Sequence, residues 1–224
     1  MQRLRLTFSR GEELKYISHL DLMRLWQRAL RRADIPLVYS QGFSPHPRLS
    51  LAAPLAVGVT SGGELIDIFL ERRVSPHFFI KVVTEQLPRG IEISEIVEVG
   101  LGLPSLQSQV RSAEYKVIVE ADKKPNEVET AINSLLSSDK LPWQHNRDKE
   151  VRKYDLRTLV DDIWLIEYHP PEFTIGMKLH CDSSGTGRPE QVLSALGFTS
   201  HPKSIHRTKL ILEKQAKPCY LLIG

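Results

Sequence analysis

Leu4-Arg5-Leu6-Thr7-Phe8, broken by Ser9-Arg10-Gly11 and followed by Ser18-His19-Leu20-Asp21-Leu22-Met23-Arg24-Leu25-Trp26-Gln27-Arg28-Ala29-Leu30-Arg31-Arg32-Ala33, is the stretch from which the fold class is read. Its first part alternates apolar and polar residues with period two, the mark of a strand with one buried face. Its second part changes to helical period. Ser18 stands where an N-cap is needed, and Asp21 occupies the third helical position, a weaker form of the capping box. On a wheel of 100° per residue, Leu22, Met23, Trp26, Ala29, Leu30 and Ala33 share one side. Arg24, Arg28 and Arg31 lie opposite, with Arg32 alongside. Pro36 stops the helix, which is expected over 19–33.

Outward from this unit the same two periods recur. Short strands are expected at 37–39 and 49–53, and Glu64-Leu65-Ile66-Asp67-Ile68-Phe69-Leu70-Glu71 alternates again. Ser75-Pro76 opens a helix expected over 76–86, with proline at its favoured first position. Pro88-Arg89-Gly90 turns the chain into a strand at 91–99. The order strand, helix, strands, helix, strand fits an α+β fold of ferredoxin-like type, with helices on one face of an antiparallel sheet. After Gly100-Leu101-Gly102-Leu103-Pro104-Ser105 the order repeats approximately: strand 114–121, helix 126–137, strands 150–154, 163–168 and 173–180, helix 190–196 ended by Gly197, and strand 209–213. The expected organisation is two small ferredoxin-like domains, 1–100 and 113–214, with a linker at 101–112 and a tail at 215–224.

Composition bounds what such a chain does. Of 224 residues, 41% are hydrophobic and 25% charged, an ordinary folded balance. No run of about 18 apolar residues offers a membrane span. The opening residues lead into alternating sequence, not an apolar signal core. Cys181 and Cys219 are too few for a disulfide framework or a four-cysteine metal site, so both read as reduced thiols in a cytoplasmic protein. The net charge of +3 hides an asymmetry: residues 1–50 hold nine Arg or Lys against four Asp or Glu, a balance of +5. The remainder is therefore −2. A basic N-terminal quarter on a near-neutral body suggests an anionic partner met by one face.

Arg24, Arg28 and Arg31, at i, i+4 and i+7, project from consecutive turns. Guanidinium groups roughly 5–6 Å apart along a helix can meet successive phosphates. After Asp21 the exposed side has no acid until Asp34. Tyr39-Ser40-Gln41-Gly42-Phe43-Ser44-Pro45-His46-Pro47-Arg48 follows. Gly42 admits a positive φ and the two prolines stiffen the loop, a good scaffold for presenting His46 and Arg48. Phe43 is expected to plug the core; exposed, it or Tyr39 would stack a base. His19 reads first as a half-buried helix-start residue, and alternatively as an acid or base working with His46.

Other constellations are weaker. His180-Cys181-Asp182 holds ligand types that point to opposite faces of a strand, so no metal is expected. Ser184-Gly185-Thr186-Gly187 lacks the Gly-Lys-Ser/Thr of a P-loop, leaving at most a backbone anion nest. Lys149–Arg157 brings Arg152, Lys153 and Arg157 near one another on what reads as a surface strand. No cofactor motif is present.

The blocks Lys15-Tyr16-Ile17-Ser18-His19-Leu20-Asp21, Arg28-Ala29-Leu30-Arg31-Arg32-Ala33 and Tyr39-Ser40-Gln41-Gly42-Phe43-Ser44-Pro45-His46-Pro47 resemble the radical-SAM-linked protein family. So do the shorter Leu103-Pro104-Ser105-Leu106, Tyr154-Asp155-Leu156-Arg157, Arg188-Pro189-Glu190-Gln191-Val192-Leu193 and Ile205-His206-Arg207-Thr208. This bacterial domain is often encoded beside, or fused to, a cobalamin-binding radical SAM protein. The resemblance implies a supporting role beside such an enzyme, in RNA or ribosome-related modification. The three-cysteine cluster motif is missing, so this chain is not itself the radical enzyme. The leading expectation is a non-catalytic RNA-binding or substrate-presenting module using Arg24, Arg28, Arg31, Arg32, Tyr39, Phe43, His46 and Arg48. Two alternatives stay open: metal-independent RNA processing by His19 and His46, and a protein-only adaptor for a radical SAM partner.

Overall fold

The computed structural model describes residues 1–147, 150–182 and 185–213. Its N-terminal half runs β1 (Gln2–Arg10), α1 (His19–Arg32), β2 (Leu49–Leu51), β3 (Thr60–Leu70), α2 (Pro76–Thr84) and β4 (Ile93–Val99). A one-turn helix α3 (Leu106–Gln109) leads into the C-terminal half. That half comprises β5 (Val110–Glu120), α4 (Pro125–Ser137), β6 (Pro142–Arg147), β7 (Glu150–Asp155), β8 (Val160–His169), β9 (Glu172–His180), α5 (Pro189–Ala195) and β10 (Ser204–Leu212).

The strand order is β4-β1-β3-β10-β5-β9-β8, with β2 on the edge of β3. The N-terminal half thus has the ferredoxin-like order 4-1-3-2. Counting β5, β8, β9 and β10 as its four strands, the C-terminal half has the same order. β6 and β7 form a separate hairpin between α4 and β8.

The halves do not remain two antiparallel sheets. β2 is three residues long and pairs only with Ile66–Ile68, so the start of β3 has a free edge. β10 takes it in parallel register, His206 opposite Thr60 and Arg207 opposite Ser61. The result is one mixed sheet of eight strands. Within each half every pairing is antiparallel, as expected; the parallel pair is added at the seam, where two antiparallel units are free to join in either sense.

Both helical layers cover the same face. Leu4, Leu6 and Phe8 lie opposite Ile68, Ile66 and Glu64 and pack on Trp26, Leu30 and Phe79. Across the seam Arg207 lies opposite Tyr115, which continues the inward row Val117, Val119 toward α4 and α5. Phe8 meets Trp26 edge to face at 5.0 Å, a favoured aromatic geometry. On the other face the stretch expected as a linker packs down. Asp67, fully buried, binds Arg3 and Arg5, and Arg3 also donates to the carbonyls of Leu103 and Pro104 at 2.8 and 2.9 Å.

The local signals of α1 are realised. Ser18 Oγ accepts from the Asp21 N–H at 3.1 Å. At its end Ile35 N–H reaches back to the Leu30 carbonyl, with Asp34 in the left-handed region at φ 51°, a Schellman ending that Asp tolerates. β10 begins at Ser204, five residues before the expected strand. The inward position of Arg207 hides the alternation there.

Candidate nucleic-acid interface

The arginine face is built as the wheel requires. Leu22, Trp26, Ala29 and Leu30 are buried, while Arg24, Arg28, Arg31 and Arg32 are exposed. Arg24 reaches Asp21 at 3.3 Å. The Ser18 hydroxyl first, and Arg24 after it, hold the Asp21 carboxyl below the usual range. Arg32 donates to the Gln86 carbonyl just beyond α2. Arg28 makes no hydrogen bond or ion pair among the described residues. Arg31 lies over the ring of Tyr39 at 5.9 Å, which ties the helix to the loop that follows.

That loop is a short hairpin. Tyr39 and Pro47 form an isolated bridge, Ser40 N–H donates to the His46 carbonyl at 2.9 Å, and His46 N–H donates to Ser40 Oγ at 3.1 Å. Gly42 has φ 124°, the positive value the tip needs. Phe43 beside it is wholly exposed. It does not plug the core, as expected above. The hairpin projects from the sheet edge, and its only route to the core is taken by Pro47, which is buried.

Arg48 diverges from the rest. Strand alternation turns it to the opposite face of the sheet, where it stacks on Phe69 at 4.1 Å beside Arg3. The two histidines are not brought together. α1 begins at the Arg10 end of β1, where Arg10 donates to the carbonyls of Leu14, Lys15 and Ile17. The hairpin is fixed at the other end, by the Leu37–Leu70 bridge and the Val38–Phe69 hydrogen bond. His19 and His46 therefore stand at opposite ends of the N-terminal half-sheet. Arg24, Arg28 and Arg31 share the exposed face of α1, and the Arg31–Tyr39 contact joins that face to the hairpin that carries Phe43.

The remaining sequence candidates take structural roles. Arg157 donates to the carbonyls of Val160 and Leu136, turned away from any anion surface. Lys149 and the Arg152 side chain lie outside the described residues, as does Ser184. Gly187 is a packing glycine, since a Cβ there would meet the Leu159 carbonyl oxygen at 2.7 Å.

Sequence reasoning missed a second feature, at the seam. Arg207 and Glu64 are 1% and 2% exposed and form a two-point ion pair at 2.8 and 2.5 Å. Burial alone would lower the Arg207 pKa, but Glu64 outweighs it and holds the value above normal. Arg207 also donates to the Pro54 and Ala53 carbonyls at 3.2 and 3.3 Å. Beside it the Tyr115 phenol is pushed up to about 12 by burial. A cleft of about 510 Å³ opens here between the 54–59 loop and the start of α5. The signal was legible only as two opposite charges in inward phase, Glu64 with Ile66 and Arg207 with Ile205, more than a hundred residues apart.

Two ferredoxin-like halves fused edge to edge through a parallel seam, with an arginine crest on the helical face, define the architectural class. The chain belongs to the family described as uncharacterized protein conserved in bacteria (DUF2344), whose model matches residues 3–189. Nothing in these comparisons links the chain to radical SAM proteins. No curated protein matches in sequence. Among solved structures, a chain of a Cbf5-Nop10-Gar1 complex is similar at 10% identity and TM-score 0.52, covering 93% of this chain and 48% of that one. Chains of an archaeal box H/ACA sRNP Nop10-Cbf5 complex (10% identity) and of an H/ACA RNP bound to a substrate RNA containing 2'-deoxyuridine (11%) each give TM-score 0.47, with 93% and 47% of the two chains covered. The chain spans about half the length of these neighbours, and at such identity the likeness is one of fold. No helix among the described residues is long and apolar enough to cross a membrane.

Proposed function

We propose that this protein is an RNA-binding accessory module that holds a single-stranded segment along the α1 crest. Arg24, Arg28 and Arg31 meet successive phosphates, and Phe43 with Tyr39 stacks bases at the hairpin. The observation that carries the reading is the exposed Phe43 on a hairpin whose Tyr39 is already stacked under Arg31. An apolar ring held in water on a hairpin that Tyr39 ties to Arg31 has a natural partner in a nucleobase with its phosphate. The motif resemblance supplies the client, a radical SAM enzyme to which the bound RNA is presented. Acid–base cleavage by His19 and His46 loses its basis, because the two rings lie at opposite ends of the half-sheet.

The test is binding of tRNA and rRNA fragments at two salt concentrations after nucleic acid is stripped with high salt. Replacing Arg28 and Arg31 with Ala should weaken binding and flatten the slope of log K against log salt by roughly 1.4, two single-strand phosphate contacts. Equal binding by the double variant at low salt refutes the arginine crest. No binding by the parent protein refutes the RNA reading and leaves the protein-only adaptor.

A further inference from the structure

The seam cleft belongs to no part of the crest, yet it is built like a binding site. β5 and β10 supply its floor through Tyr115 and Ile205, and the 54–59 loop supplies an apolar wall with Pro54, Leu55 and Val59. Its volume falls within the roughly 300–1,000 Å³ of small-molecule sites, and it lies where two structural units meet. Its polar lining is Tyr115, Thr186, Arg188, Glu190 and Gln191. Arg207 is the cross-strand neighbour of Tyr115, and a guanidinium can only donate, so the phenol proton finds no acceptor there and Tyr115 brings a donor to the cleft it lines. Tyr154 donates its hydroxyl to Gln191 Oε1 at 2.6 Å, which leaves the Gln191 amide nitrogen as the free group. Arg207 further pins the cleft wall through the Ala53 and Pro54 carbonyls.

The cleft wall is tied to the segment that leads into α1, whose crest carries the RNA surface proposed above. α1 touches α2 on its Arg32 flank. The sheet order therefore puts its other flank, with Leu20 and Gln27, toward the seam. The loop that walls the cleft is joined to the approach of α1 by the hydrogen bond from Gly58 N–H to the Lys15 carbonyl. At this lip Tyr16, Leu20 and Val57 are exposed, with Lys15 over the Tyr16 ring. Arg188, the N-cap residue of α5, lines the cleft. An apolar wall, Tyr115 on the floor and Gln191 on α5 as donors, Arg188 beside Glu190 at one lip and Lys15, paired with Glu12 at 2.6 Å, at the other suit one flat heteroaromatic ring carried on a phosphate.

We infer that the seam cleft receives a single nucleobase extruded from RNA bound on the α1 crest, with Tyr115 and Gln191 donating to its edge and Lys15 and Arg188 flanking its phosphates. This rests on the RNA reading for its carrier but has its own test. Saturation-transfer NMR is run on the full chain with the four ribonucleoside 5′-monophosphates, and a single-stranded RNA 15-mer is titrated in parallel. Base-proton transfer should appear with the parent and persist in Arg28→Ala/Arg31→Ala. It should vanish in Ala56→Trp, which fills the cleft from an exposed position, and fall at least threefold in Tyr115→Phe. The 15-mer should bind Ala56→Trp within about threefold of the parent and bind the double arginine variant poorly. Absent transfer with the parent, or transfer unchanged in both cleft variants, overturns the cleft inference. Unchanged 15-mer binding by the arginine variant overturns the RNA reading instead. Tyr115→Phe keeps the comparison decisive if Ala56→Trp does not fold.

Discussion

Glu64→Gln is the sharpest probe of the seam. Glu64 faces Arg207 through two bonds, and burial of both leaves no water to replace them. The amide keeps the shape of the carboxylate but turns an –NH2 toward a guanidinium that can only donate. Arg207 would then be a buried cation with two carbonyls and no counter-charge. A second cation is near. Arg10 is fully buried, its pKa lowered by burial while Glu64 opposes that shift. One carboxylate therefore compensates two guanidiniums. Breaking a buried pair costs about 3–5 kcal/mol, and this site belongs at the upper end. For a chain of this size that is a fall in Tm of roughly 10 °C or more. Urea unfolding followed by tryptophan fluorescence reads it, since Trp26 and Trp164 report the two halves. The midpoint should drop with little change in slope. Replacing the whole pair, Glu64→Leu with Arg207→Met, should be more stable than Glu64→Gln alone, because no buried charge is orphaned on β10. A cost below about 1 kcal/mol for Glu64→Gln, or a double variant no better than the single one, would refute this account of the seam.

Trp26→Ala should cost about 3–5 kcal/mol in the same assay, since Trp26 is fully buried against Phe8; an unchanged midpoint would place α1 wrongly. Phe43→Ala should leave Tm unchanged and weaken single-strand RNA binding by about 1–3 kcal/mol, the range for a lost base stack. Equal affinity would show Phe43 to be idle. Tyr115 sets an alkaline limit. Burial raises its folded pKa to about 12 from the ordinary phenol value of 10.0, so only the unfolded phenol ionises between those values. The stability Tyr115 contributes is complete below pH 10 and lost as pH rises toward 12, roughly 3 kcal/mol in all. Tyr115→Phe should unfold with a flatter pH dependence across that window, and a slope identical to the parent's would count against the burial of this hydroxyl.

The α1 unit was readable because every signal in it is local. Ser18 caps, the apolar stripe repeats at helical spacing, and Pro36 forbids continuation, all within twenty residues. The arginine crest follows from the same geometry, since a residue opposite a buried stripe has nowhere to go but solvent. The order of elements in each half carried the α+β class by the same route. Phe43 was misjudged because a large apolar residue between turn-formers looks the same whether its hairpin folds inward or projects. Arg48 was grouped with the crest by proximity in sequence, although one residue of strand phase puts it on the far face beside Phe69. His19 and His46 were separable only once α1 and the 39–47 hairpin were anchored at opposite ends of β1. The seam was beyond any local reading. Glu64 and Arg207 each look like a fault in an apolar strand until the chain brings them together. A buried charge is tolerable only with its partner, and pairing across 143 positions is a property of the folded sheet.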